Sequence, residues 1–222
     1  MLGEGYLAYY EQFNNVKQFL DSAAVMLERA RSTESDRSMS RALIRLWYLE
    51  ERYVEIAAFA DREDLADVVD PWTLYRIGEA YSKAGRQRDA SKFYQLAVDY
   101  GPDHLWFRTK LASSYVSLQE PARAITILDQ VLDDNPKFHH AYNNRGFAHL
   151  VSGDFAAAES DFRRTLELDP DAKQALANLA SLYFNAGDPA EAKLLIDRLV
   201  RLEPDNVQYL EFQRAVEAAL LK

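Results

Sequence analysis

The groups in this 222-residue sequence that could do chemistry are four histidines, 35 acidic and 26 basic side chains, with no cysteine among them. Without cysteine there is no thiol nucleophile, no disulfide and no thiolate metal ligand. His139 and His140 are adjacent, so on a helix their side chains point about 100° apart. With His104 and His149 elsewhere, that spacing does not build a metal site. The carboxylates alternate with Lys and Arg as on a solvated helix face. No Gly-rich phosphate loop, H-E-x-x-H, G-x-S-x-G or calcium loop occurs. The expectation is no catalytic residue, no metal, no cofactor and no enzymatic activity. Asparagines and aromatics remain, and they suit a different task. Amides bond a peptide backbone, and ring faces take its apolar side chains.

Composition narrows the class further. The hydrophobic fraction of 48% is that of a folded chain. No apolar run approaches the roughly 18–20 residues of a membrane span, and the N-terminus lacks the pattern of a signal peptide. A cytoplasmic location with no membrane insertion is expected. The net charge is −9. Residues 1–70 hold 8 Lys and Arg against 14 Asp and Glu, so most of that excess lies in the first third. An acidic chain is a poor candidate for nucleic acid.

The elements that must position these side chains show themselves as a repeat. Pro102, Pro136, Pro170 and Pro204 stand 34 residues apart, and so do Ala90, Ala124, Ala158 and Ala192. Within residues 139–172 the pattern is a helix, a turn at Gly153-Asp154, a second helix and a closing Asp169-Pro170. A 34-residue helix–turn–helix period of this kind resembles the tetratricopeptide repeat (TPR) family. The resemblance implies an all-α, right-handed α-α superhelix, or solenoid. Four repeats are expected at 71–104, 105–138, 139–172 and 173–206, followed by a C-terminal capping helix at 207–222. Small residues occupy the eighth position (Gly78, Ala112, Gly146, Ala180), where helix axes approach closely. Gly85, Gly153 and Gly187 suit the left-handed turn that ends the first helix. Repeat 105–138 has Gln119 there, and its turn is expected to differ. Asp188-Pro189 and, more weakly, Glu120-Pro121 read as starts of second helices.

Residues 1–70 are read as one or two degenerate repeats or an N-terminal cap. Helices are expected near 4–14 and 17–31. A third is expected from Ser40 onward, carrying Leu43, Leu46, Trp47, Tyr53, Ile56 and Phe59. In the last helix, Val207, Leu210, Ala215, Val216 and Ala219 are expected to face the preceding repeat.

In TPR proteins, the second, fifth, sixth, ninth and twelfth positions of the first helices line a groove. The resemblance therefore implies a peptide-binding groove built on Trp72, Tyr75, Arg76, Trp106, Lys110, Asn143, Asn144, Phe147, Asn178 and Phe184. Lys110, Asn144 and Asn178 share the sixth position, so an acidic residue of the partner is expected near Lys110. The clamp by which some members hold a C-terminal carboxylate is not expected. Its leading Lys and Asn would be Tyr75 and Glu79, or Thr109 and Ser113, and its basic pair is missing as well. The function implied is a protein-interaction scaffold with a protein or peptide partner. The alternative is self-assembly or docking through the acidic first third, in a regulatory piece of a larger protein or a homo-oligomer. Repeat 139–172 also stands apart in its core. Arg145 and Asp161 replace residues that are apolar in the other three repeats, and a structural ion pair between them is expected.

Overall fold

The computed structural model describes residues 37–62 and 70–221, with Val25 alone before them. The helices expected near 4–14 and 17–31 lie outside the described residues, except for that one helical residue. Eleven α-helices and no strand are found among the described residues. They are α1 (Arg37–Leu49), α2 (Tyr53–Arg62), α3 (Pro71–Lys83), α4 (Gln87–Tyr100), α5 (Leu105–Ser117), α6 (Pro121–Asp134), α7 (His139–Ser152), α8 (Phe155–Leu168), α9 (Lys173–Asn185), α10 (Pro189–Leu202) and α11 (Val207–Leu220). The odd-numbered helices start 34 residues apart, from Arg37 to Val207. None of the described helices is long and apolar enough to cross a membrane.

The regular step runs back through α1 and α2, which lie in the stretch read from sequence as one or two degenerate repeats or a cap. The single helix expected from Ser40 is instead a pair, α1 and α2, broken at Glu51. Glu51 has φ 56°, and the Arg52 amide donates to the Trp47 carbonyl at 2.8 Å. The turn at Gly85 has φ 76° and the matching bond, Arg86 to Tyr81, also at 2.8 Å. The turn at Gln119 was expected to differ and does not. Its φ is 63°, and Glu120 donates to Tyr115 at 2.9 Å, as Asp154 does to His149. Closing the helix end this way satisfies carbonyls that would otherwise be orphaned, which offsets the strain of a left-handed residue with a Cβ.

Helix starts follow their side chains. Asp70 accepts from the Thr73 amide at 2.8 Å with Pro71 in the first turn, and Asp188 accepts from the Glu191 amide at 3.1 Å with Pro189 behind it. Glu120 makes no cap bond, and its carboxylate goes to Arg123 at 2.6 Å.

The chain forms two compact units, one through Ser114 and one from Tyr115, the division falling inside α5. In the first, Leu43, Leu46, Ile56, Phe59, Leu74, Ile77, Tyr94 and Phe107 are buried. In the second, Phe162, Leu176, Leu179, Ile196, Leu199 and Val216 are buried. Volume is traded within each repeat. Gly78 leaves room for Tyr94, whose ring carbon would lie 2.7 Å from an added Cβ, and Gly146 leaves room for Phe162 at 2.8 Å. Where the eighth position is Ala112 or Ala180, the twenty-fourth is the aliphatic Leu128 or Ile196. Where it is Ile44, the twenty-fourth is only Ala60.

The face that α11 turns inward matches the expected one at Leu210, Val216 and Ala219 and differs from it at Val207 and Ala215. Val216 is buried, with Tyr209 and Phe212 partly so, against Leu176, Ile196 and Leu199. Val207 and Ala215 face solvent. Arg214 and Glu217 occupy the eighth and eleventh positions, so α11 presents charge where earlier first helices present small and mostly aromatic residues.

Candidate functional site

The groove positions of the first unit come from α1, α3 and α5. Trp72 and Trp106 are each 42% exposed. With Tyr48, Tyr75 and Arg76 they line a cleft of about 310 Å³. Its walls are braced from behind by other rings. Trp72 stands edge-on to Tyr75 (5.8 Å between centroids), to Phe107 (4.9 Å) and to His104 (5.3 Å). Tyr75 leans on Phe107 at 5.4 Å and Tyr94 at 5.9 Å. Edge-to-face contacts of this kind hold rings in defined orientations. The guanidinium carbon of Arg76 lies 5.8 Å from the Tyr48 ring centroid.

Below the cleft, Glu79 accepts from the Tyr94 hydroxyl at 2.5 Å and pairs with Lys110 at 3.0 Å. Burial, with the Glu79 charge second, pushes the Tyr48, Tyr75 and Tyr94 hydroxyls above the usual phenol range, so they remain neutral donors. The Glu79–Lys110 pair gives Lys110 an acidic neighbour within the chain itself.

The groove positions of the second unit divide. Phe147 is 42% exposed, and Asn144 is half-buried. Asn143 is not a groove residue. It is only 8% exposed, and its Oδ1 accepts a long 3.5 Å bond from Asn178 Nδ2, two first helices packing it between them. Phe184 is half-buried, standing edge-on to Phe212 of α11 at 5.5 Å.

His139 and His140 do not point apart. They open α7, and their rings lie 4.0 Å apart at 38°, with His139 Nε2 3.6 Å from Asp169. Among the described residues no group of three or more His, Asp or Glu side chains is placed to hold a metal. Arg145 forms a bidentate pair with Asp161 at 2.8 and 2.7 Å and reaches Asp129 of the preceding repeat at 2.7 Å.

Sequence reasoning missed Tyr48, the wall that α1 contributes. Its signal was its place, 34 residues before Ser82, at the twelfth position of a repeat whose turn has no glycine.

Helix pairs in a fixed 34-residue step, with small residues where they cross, define an all-α repeat protein. The chain belongs to the tetratricopeptide repeat family: models of that repeat match residues 73–104, 109–173 and 150–216. It is similar to RNA polymerase II-associated protein 3 of Xenopus tropicalis, 25% identical over 149 residues, or 65% of this chain. The chain spans only 23% of the length of that relative. Among solved structures, a tetratricopeptide repeat protein from Parabacteroides merdae superposes with a TM-score of 0.78 at 20% identity, over 99% of this chain and 87% of that one. The first TPR of Spaghetti (RPAP3), bound to the HSP90 peptide SRMEEVD, superposes with a TM-score of 0.51 at 24% identity, over 53% of this chain and 96% of that one.

Proposed function

We propose that this chain is a non-enzymatic protein-interaction scaffold that holds a peptide segment of a partner against its first helices. The observation that carries this reading is the aromatic cleft of Tyr48, Trp72, Tyr75, Arg76 and Trp106. Large rings exposed together at groove positions cost solvation unless a partner covers them. Rings and an arginine are also the side chains that most often dominate binding energy at interfaces. Phe147, Asn144 and Asn178 offer a second, more polar set in the second unit. A superposable TPR domain bound to a peptide supports the same use of the fold.

The test is photo-crosslinking in extracts of the native host. A photoreactive phenylalanine replaces Trp106 or Phe147 in one pair of variants, and Leu194, 65% exposed on a second helix, in a control. Crosslinks to a partner are expected from position 106 and from position 147, with little from 194. Equal or stronger crosslinking from 194 would move the site to another face.

A further inference from the structure

We infer that the cleft of α1, α3 and α5 takes an extended, proline-bearing stretch of a partner chain, with two prolines one turn of polyproline II helix apart. This rests on the scaffold reading above and names the chemistry of what is held.

The size of the cleft argues against a helix. Its volume is about 310 Å³, and one helical turn with its side chains, about 10 Å across and about 5.4 Å high, already exceeds that. An extended chain lying across the rings fits. Four rings, Tyr48, Trp72, Tyr75 and Trp106, form most of the lining. Trp72 and Tyr75 are braced by Phe107, Tyr94 and His104, so they need little ordering when a ligand enters, which favours affinity. A polyproline II segment brings the same advantage from its own side, because each proline fixes its backbone before binding. Aromatic-lined grooves recognise proline-rich segments on this basis.

Spacing sets the second requirement. Trp72 and Trp106 hold the second position of successive first helices. Those helices touch, Trp72 meeting Phe107 at 4.9 Å, and packed helix axes stand about 8–10 Å apart. A polyproline II helix has three residues per turn and rises about 3.1 Å per residue, so one turn is about 9 Å. Prolines three residues apart therefore meet one indole each. A single aromatic side chain would use only one of the two.

Charge sets the third. Burial, then the Glu79 charge, pushes the Tyr48 and Tyr75 hydroxyls up, and at Tyr48 the Glu79 charge outweighs that of Arg76. A ligand carboxylate therefore meets the field of Glu79. A ligand ammonium finds Glu79 already paired with Lys110 and hydrogen-bonded to Tyr94. Ring area, rather than a charge, is what the cleft offers. Prolines bring no charge and no N–H, only carbonyl acceptors, to a lining whose indoles and arginine are donors only.

The test pans the full chain against phage-displayed random peptides of about twelve residues. The enriched sequences are then synthesised and titrated by calorimetry. Enrichment of prolines three residues apart, with no recurring acid or base, is expected. Moving one of the two prolines by a single residue should weaken a peptide by more than about tenfold. Raising the salt from about 0.05 to about 0.5 M should change its affinity by less than about twofold. Trp72→Leu and Trp106→Leu keep apolar bulk without the ring face, and each should weaken binding by more than about tenfold. Circular dichroism checks that both are folded, and the shifted peptides read the same spacing on the unaltered protein.

Enrichment of acidic, basic or aromatic residues without prolines would overturn the inference. So would peptides indifferent to the proline spacing, or bound equally well by both folded variants. If the enriched peptides weaken only with Phe147→Ala, the inference falls while the scaffold reading stands. A library that yields no binder overturns the inference as well, and the crosslinking pattern then decides the scaffold reading separately.

Discussion

Arg145 lays its guanidinium across both oxygens of Asp161, at 2.8 and 2.7 Å, at two positions that are apolar in the other helix pairs. The pair is unequal. Arg145 also holds Asp129, whereas Asp161 is buried and the next side-chain nitrogen near it is Nε2 of His149 at 4.0 Å. Arg145→Leu therefore strands a buried carboxylate, while Asp161→Leu leaves the arginine a partner. The arginine variant should lose about 3 kcal/mol and the aspartate variant clearly less. The double leucine variant should lie near wild type, since leucine fills these sites in other repeats. Urea denaturation of the four proteins reads this directly, and a double variant as unstable as Arg145→Leu would refute it.

The exchange of volume between the eighth and twenty-fourth positions predicts a rescue. Gly146→Ala puts a methyl group against the Phe162 ring and should cost about 1–3 kcal/mol. Phe162→Leu alone opens a cavity. Together they reproduce the Ala and aliphatic pairing of other repeats, so the double variant should be more stable than the sum of the two losses predicts. The rescue is partial, because the Ala158 carbonyl lies 3.2 Å from the new methyl. Strict additivity in a thermal melt would count against the packing argument.

Glu51 and Gln119 stand in left-handed turns where the other repeats have glycine. The strain of a Cβ there exceeds the extra chain entropy that glycine brings to the unfolded state. Glu51→Gly and Gln119→Gly should each stabilise by about 0.5–1 kcal/mol, a rise in Tm of roughly 2 °C. A fall in Tm would show that these side chains contribute more than the turn costs them.

Tyr183, Glu159 and Arg163 form a hydrogen-bonded triad, with the Tyr183 hydroxyl 2.6 Å from Glu159 and Arg163 2.8 Å from the same oxygen. The Tyr183 hydroxyl and Arg163 hold Glu159 below its usual range, so its contribution is present above about pH 4.5 and lost as the pH falls through the lowered value. Burial and Glu159 push Tyr183 up to about 12, so its contribution is full below pH 10 and lost as the pH rises toward 12. Tyr183→Phe should be less stable than wild type between these limits and converge with it at both ends. A difference in Tm independent of pH would rule out the bond as its source.

The repeat was legible because proline, alanine and turn glycine recur at one spacing, each for a local steric reason. The α1–α2 pair was legible only as a degenerate repeat or a cap, because Glu51 replaces the glycine and Ile44, Ile56 and Ala60 redistribute the volume the pattern depends on. The exposed rings of Trp72, Trp106 and Phe147 followed from position within a helix. The burial of Asn143 did not, because Asn178 of the next repeat packs against it, and Phe184 and Lys110 are half-buried beside Phe212 and Glu79. Position within a repeat says which way a side chain points, and only the neighbouring helix says whether the space is taken.

All three tryptophans of the chain, Trp47, Trp72 and Trp106, belong to the first unit. Trp47 is buried, and the other two line the cleft. The protein thus carries its own optical label: indole fluorescence registers what enters the cleft against a constant buried reference, while everything from Tyr115 onward is dark at wavelengths that excite tryptophan alone.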